Sequence, residues 1–333
     1  MVNHNRYGVG ILGVGHYIPS IEFSNQEIEE KSKLSAKIII EKTGIQTRYV
    51  VDDKESASAM SVEAARKAIA MAQILPEQVG QVICCTFAGD YVFPAMACKV
   101  QEELGAKYAG AFDVMANCTG FQVGLGVLSD RMYCDSDVKY GIVTGTAVQS
   151  RYLRWDNPEL AMYFGDGAGA AVLGQVPEGY GILANEIFTN GKVFEAVRLR
   201  GGGSSYPLRP ENIDEGLQYY EMDGMEVWKQ VIQNQPKVIR QVLAKIGKTI
   251  EDVDFFIFHQ ANLKLIEFMM ARMKQPLSKT HTTVEKYGNT ADASLAITLS
   301  EAVQNGQIKR DQLVVISGVG AGFTFGATVV RWY

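Results

Sequence analysis

The sequence predicts an α/β protein built from two related halves, and three observations carry that expectation. Short Val- and Ile-rich runs alternate with longer amphipathic segments. Two stretches of the chain repeat one order of elements in a long, degenerate internal repeat. Glycines fall in runs such as GVGILGVG, GDGAGA and GVGAGFTFG, beside apolar segments, which suits close backbone packing and tight turns better than a flexible linker.

Strands are expected at 9–14, 81–86, 141–145, 168–173, 255–258 and 313–317, each a short apolar run. Helices are expected over 62–72, 95–104, 119–133, 224–243, 263–273 and 293–303. The repeat is clearest where AARKAIAMAQILPEQVGQVICC lies beside KVIRQVLAKIGKTIEDVDFFIF, each reading helix, short acidic turn, buried strand. Both halves then continue through a loop and a helix to a small-residue segment that opens another helix. That segment is NCTGFQVGLGVL in the first half and GNTADASLAITL in the second. Each closes on an apolar strand ending in glycine, YGIVTGTA and LVVISGVG. Two such units face each other across a pseudo-dyad, and function is expected where their helix N-termini converge. The expected division is an N-terminal half over 1–176, a connecting segment over 177–222 with little helical period and strands at its edges, and a C-terminal half over 223–333.

Composition narrows the function classes. At 333 residues and 47% hydrophobic, the chain has ample material for a large core, and disorder is excluded. The net charge of −5 is carried by scattered Lys and Arg, which argues against a nucleic-acid groove. No apolar run reaches the ~20 residues of a membrane span, and the start MVNHNRYGVG lacks a signal-peptide core. A cytoplasmic protein is expected. Five cysteines with no CxxC pair and only four histidines make neither a disulfide framework nor a metal site. The opening GVGILG satisfies the GxGxxG pattern, but no strand precedes it and it reads as a strand itself, so a nicotinamide cofactor is not expected.

Three residues stand out as chemistry. Cys118, in DVMANCTGFQVG, falls between a strand and a helix that begins with small residues. A thiol at a helix N-terminus meets free N–H groups and the positive end of the dipole, which favour a nucleophilic thiolate. An inert core thiol is the other reading, and the one given to Cys84, Cys85, Cys98 and Cys134. His259 follows the apolar run DFFIF, at the C-terminal end of a strand where α/β proteins build sites. Asn289 lies in YGNTADAS, a turn in which Thr290 or Asp292 could cap the next helix. Its place in the repeat matches that of Cys118. The glycine-rich GVGAGFTFG offers backbone N–H groups to an oxyanion.

Taken together, the blocks TGIQTR, FPAMACKVQEELG, AFDVMANCTGF, FGDGAGAAVL, FHQANL, YGNTADAS and GAGFTFGATVVRW resemble the β-ketoacyl-acyl-carrier-protein synthase III family in order and spacing. The resemblance runs from Gly8 to Trp332. It implies a five-layered αβαβα thiolase fold acting as a homodimer. It implies Cys118 as acyl-carrying nucleophile, with His259 and Asn289 activating a malonyl-type thioester, and an oxyanion site from the backbone N–H groups of Cys118 and Ala321. Phe93 corresponds to the phenylalanine that closes the partner's acyl pocket. No bound cofactor is implied. The substrates are phosphopantetheine thioesters on acyl carrier protein or coenzyme A.

The departures fall on the substrate tunnel, to which the resemblance assigns Arg48, Arg151, Asn262, Lys264 and Ile38. Ile38 stands where relatives primed by coenzyme A have a tryptophan, removing an adenine-stacking platform worth about a kcal/mol. A carrier-protein donor and a pathway-specialised member, in secondary metabolism, are therefore expected. A thiolase would need a second cysteine in GVGAGFTFG, which has none. Acyl transfer to an alcohol or amine without decarboxylation, and a non-catalytic subunit of a heterodimer, are the competing readings.

Overall fold

Strand β1 (Tyr7–Tyr17) opens the computed structural model, which describes residues 7–333; His4 lies outside them. An excursion follows through β2 (Ile21–Ser24), α1 (Asn25–Ser32), α2 (Ala36–Thr43) and β3 (Thr47–Val50), with β2 and β3 paired antiparallel. The first half continues as α3 (Ala57–Ala72), β4 (Val79–Cys85), α4 (Met96–Leu104), β5 (Gly110–Val114), α5 (Gly120–Cys134), β6 (Tyr140–Ala147) and β7 (Gly167–Pro177). The second runs from β8 (Gly181–Thr189) through a ribbon of β9 (Val197–Leu199) and β10 (Tyr220–Met222) to α6 (Gly224–Ala244). It ends as β11 (Phe255–Phe258), α7 (Leu263–Arg272), α8 (Val284–Tyr287), α9 (Ser294–Gln304), β12 (Leu313–Gly320) and β13 (Thr324–Arg331).

The two main sheets have one topology. The first is ordered β1-β7-β6-β4-β5 and the second β11-β12-β13-β8. In each, a parallel pair (β4 with β6, β11 with β12) leads to two antiparallel neighbours, β7 then β1, or β13 then β8. Where the first sheet has β5, the second has a single parallel bridge between Phe256 and Thr280. Helices α5 and α9 are sandwiched between the sheets, while α3 and α4 cover the outer face of the first and α6 and α7 that of the second. The result is the five-layered αβαβα arrangement.

Burial explains why these segments take these forms. The side chains of β11, Phe255 to Phe258, are all buried between helices on both faces, so a continuous apolar run rather than an alternating one makes the strand. The central helices are apolar nearly all round for the same reason: α9 is buried from Ser294 through Ala302. The glycines of β1 admit α3, since a Cβ at Gly13 or Gly15 would fall 2.2 Å or 2.3 Å from the carbonyl oxygens of Ala68 or Ala64. Among the described residues no helix is long and apolar enough to cross a membrane.

Candidate active site

The nucleophile turn is held in place by its neighbours. After β5, residues Asn117–Thr119 form one tight 3-10 turn, and Gly120 opens α5 at once. Asn117 sits at φ 48°, in the left-handed region that few side chains adopt. Its amide donates to the Ala321 carbonyl (3.2 Å), and the Thr119 hydroxyl donates to the Ala116 carbonyl (2.7 Å). Strand β12 ends in Gly320, where a Cβ would lie 2.5 Å from Ala116 O, so the loop after β12 rests on the backbone of the turn. Cys118, Gly320 and Ala321 thereby share one wall of a pocket that encloses about 890 Å³, its open mouth included.

His259 and Asn289 reach the same pocket from other elements. His259 follows β11; its N–H donates to Ser317 O (3.1 Å), and its Nδ1 pairs with the Ser294 hydroxyl at 2.6 Å. Ser294 is the first residue of α9, so that helix fixes the ring and leaves Nε2 as the nitrogen free to meet a substrate. Burial lowers the imidazole to about 3, which keeps it neutral at physiological pH. Asn289 is clamped by backbone: its N–H donates to Tyr163 O (2.8 Å), and its carbonyl accepts from Gly165 N (3.1 Å). Its Oδ1 accepts from Ala291 N (2.9 Å), which orients the amide so that the Nδ2 donors are uncommitted.

At Cys118 two influences oppose each other: the helix N-terminus and its own backbone N–H favour a thiolate, while burial pushes the thiol up and the Asp292 carboxyl adds to that. A correction concerns the repeat. The turn before α9 is Ala291–Ala293, and it too begins with a left-handed residue, Ala291 at φ 38°. Asp292, not Asn289, occupies the place equivalent to Cys118, and neither Thr290 nor Asp292 caps the helix.

The tunnel residues separate. Asn262 lines the pocket, caps α7 by accepting from Lys264 N (2.8 Å), and donates to Lys42 O at the end of α2 (3.2 Å). Lys264 beside it is exposed and paired with Glu267 (3.1 Å), and Ile38 is an exposed residue of α2. Arg48 does not line the pocket. It is fully buried, donating to Asn25 Oδ1 (2.7 Å) and Met162 O (2.9 Å), and it packs behind Gly165 and Gly288, so it buttresses the Asn289 segment. Arg151 does not line it either. It donates to the carbonyls of Asp52 (3.2 Å) and Glu55 (3.0 Å) and lines a separate polar cavity with Asp90 and Lys99. Phe93 is 83% exposed, next to Val92 at 96%, in a loop tied to edge strand β5 because Asp113 accepts from Met96 N and Ala97 N.

Several pocket residues escaped the sequence reading. Val227, Trp228, Val231 and Gln235 line the pocket from one face of α6. Their helical spacing was visible, but a stripe of that kind usually marks core. Ser294, the partner of His259, carries no sequence signal, because a serine at a helix start reads as a cap. Among the described residues no group of three or more His, Cys, Asp or Glu side chains is placed to hold a metal.

The chain as a whole has counterparts. Residues 112–191 match the family described as 3-oxoacyl-[acyl-carrier-protein (ACP)] synthase III, and residues 243–332 match its C-terminal region. The β-ketoacyl-[acyl-carrier-protein] synthase III of Bacillus pumilus is 38% identical over 324 residues, covering 97% of this chain and 98% of that one. The crystal structure of 3-oxoacyl-[acyl-carrier-protein] synthase III from Aquifex aeolicus VF5 is similar with a TM-score of 0.89 and 32% identity, over 98% of this chain and 100% of that one. The priming β-ketosynthase of a polyketide biosynthetic pathway gives a TM-score of 0.90 at 27% identity, over 98% and 97%. The chain belongs to the β-ketoacyl-[acyl-carrier-protein] synthase III family, acyltransferases of the thiolase fold that act as condensing enzymes in fatty-acid biosynthesis.

Proposed function

We propose that Cys118 takes an acyl group from a thioester and that His259 and Asn289 direct its decarboxylative condensation with a malonyl unit carried by acyl carrier protein. The observation that supports this reading is the convergence of the three side chains on one pocket from three separate elements. In loading, Cys118 sulfur attacks the thioester carbonyl, its proton leaves with the departing pantetheine thiol, and the backbone N–H groups of Cys118 and Ala321 receive the charge on oxygen. In condensation, His259 Nε2 and Asn289 Nδ2 donate to the malonyl thioester carbonyl. Decarboxylation then gives an enolate whose carbon attacks acyl-Cys118, and the Cys118 thiolate leaves. A neutral His259 suits a hydrogen-bond donor better than a base, in keeping with its burial.

The donor side of the proposal rests on the mouth of the pocket. Ile38 offers no ring for an adenine, which favours an acyl-carrier-protein donor and a pathway-specialised role. The exposed apolar run Tyr91–Phe93 beside edge strand β5 supports a homodimer in which Phe93 enters the partner's acyl pocket; a monomer in sedimentation velocity would remove that part. The main reading is tested by carbon dioxide release. Release that requires both a malonyl thioester and an acylated Cys118 is expected, and acyl transfer to an alcohol or amine without it would refute the condensation.

A further inference from the structure

Asp292 is the buried group that the reaction above leaves unused. It is fully buried, and neither carboxyl oxygen has a hydrogen-bond partner. It stands at the middle of the turn that mirrors the Cys118 turn, and the two turns pack against each other. Its Oδ1 points at the first residue of the nucleophile helix, where a Cβ at Gly120 would come within 3.2 Å of it. The titratable groups facing it are Cys118 on that turn, Cys85 on β4 and Tyr220 on β10. His259 reaches the same helix start only through Ser294, and no basic side chain among the described residues offsets the acid.

A buried carboxyl without a partner is not neutral filler. Removing a charge from water without compensation is so unfavourable that the group keeps its proton instead. Two anions side by side in this space are more unfavourable still, as for any pair of acids sharing a site. Because neither Asp292 oxygen is in hydrogen-bond reach of Cys118 Sγ, the acid cannot take the thiol proton directly. We propose that Asp292 is a positioning residue acting on Cys118 by charge: this site accommodates one negative charge, so Cys118 becomes a thiolate only while Asp292 holds its proton. Burial pushes the acid up to about 8, so the restraint sets in on the alkaline side. Reactivity at Cys118 then stops rising with pH where that of an ordinary thiol would continue to climb.

The inference rests on Cys118 being the nucleophile, and the test separates the two. Alkylation of Cys118 by iodoacetamide, followed by peptide mass from pH 6 to 10, needs no acyl donor. In Asp292→Asn the rate at pH 9 to 10 should exceed that of the natural protein by about tenfold, the effect of one nearby charge in a partly shielded site. The gap should close below pH 7. Coincident profiles would overturn the inference, as would an Asp292→Asn protein of unchanged Tm that has lost alkylation at every pH, since that is the signature of a direct base. Asp292→Ser repeats the measurement if the amide variant does not fold, and failure of both to fold would also overturn it, because a group acting by charge must tolerate neutral replacement. No alkylation of Cys118 in any protein would instead refute its role as nucleophile.

Discussion

Replacing Asn289 by Asp alters one end of one side chain and little else. The Oδ1 that accepts from Ala291 N at 2.9 Å is retained, as are the backbone bonds to Tyr163 and Gly165, so the turn keeps its anchors. What changes is the atom facing the pocket: two N–H donors become a carboxylate oxygen, which repels the oxygen it should stabilise. Loss of one donor to a developing oxyanion lowers the rate by about 10²–10³, or roughly 2.7–4 kcal/mol. Loading at Cys118 draws on the backbone N–H groups of Cys118 and Ala321 rather than on this amide, so it should fall by less than condensation does. Intact mass follows loading, and carbon dioxide released from a malonyl thioester by pre-acylated protein follows condensation. A variant that loads and condenses at equal fractions of the natural rates would refute the assignment of Asn289 to the second step.

Two further outcomes follow from buried titratable groups. Glu301 on α9 would be raised by burial alone, but hydrogen bonds with His281 (2.8 Å), Lys286 (2.8 Å) and Tyr287 (2.6 Å) bring it down to about 2. A depressed carboxylate stabilises the fold fully above its unfolded value of 4.5 and loses that contribution as pH falls through about 2. Glu301→Gln should therefore lower stability at pH 7 by on the order of 1–2 kcal/mol, discounted for solvent screening, with the difference in Tm shrinking towards pH 2; a gap independent of pH would contradict the network. His259, lowered to about 3 by burial, should give the condensation step no acid limb between pH 7 and 5 when pre-acylated protein is used. A limb centred near 6.5 would show a solvated imidazole instead.

Much of this molecule was readable from the chain. The six expected strands and six expected helices all occur, because each is either a short buried apolar run or a long segment of helical period. Strand β13 was missed, whereas β5 was expected before Cys118 and β8 at the edge of the connecting segment, both without bounds. β13, TFGATVVR, begins inside a glycine-rich run that reads as a loop, and β5 is a partly exposed edge strand where a buried one was expected. β8 lies at the edge of the segment read as a connection with edge strands, and it pairs with β13. The mismatch of Asn289 with Cys118 has a conformational cause. The residue that sets the register is Ala291 at φ 38°, and nothing in an alanine announces a left-handed backbone. Arg48 shows the remaining limit: a motif gives its position, while only the packed structure reveals a guanidinium enclosed against Asn25 and Met162.

The proposed reaction depends on which atom carries the acyl group. The direct measurement is the intact mass of the protein, and of its Cys118→Ala variant, after incubation with an acyl thioester, with peptide mapping of the adduct. The account predicts one added acyl group, mapped to residue 118, absent from the variant and discharged when a malonyl thioester is supplied. An adduct on another residue, or condensation that survives Cys118→Ala, would contradict it.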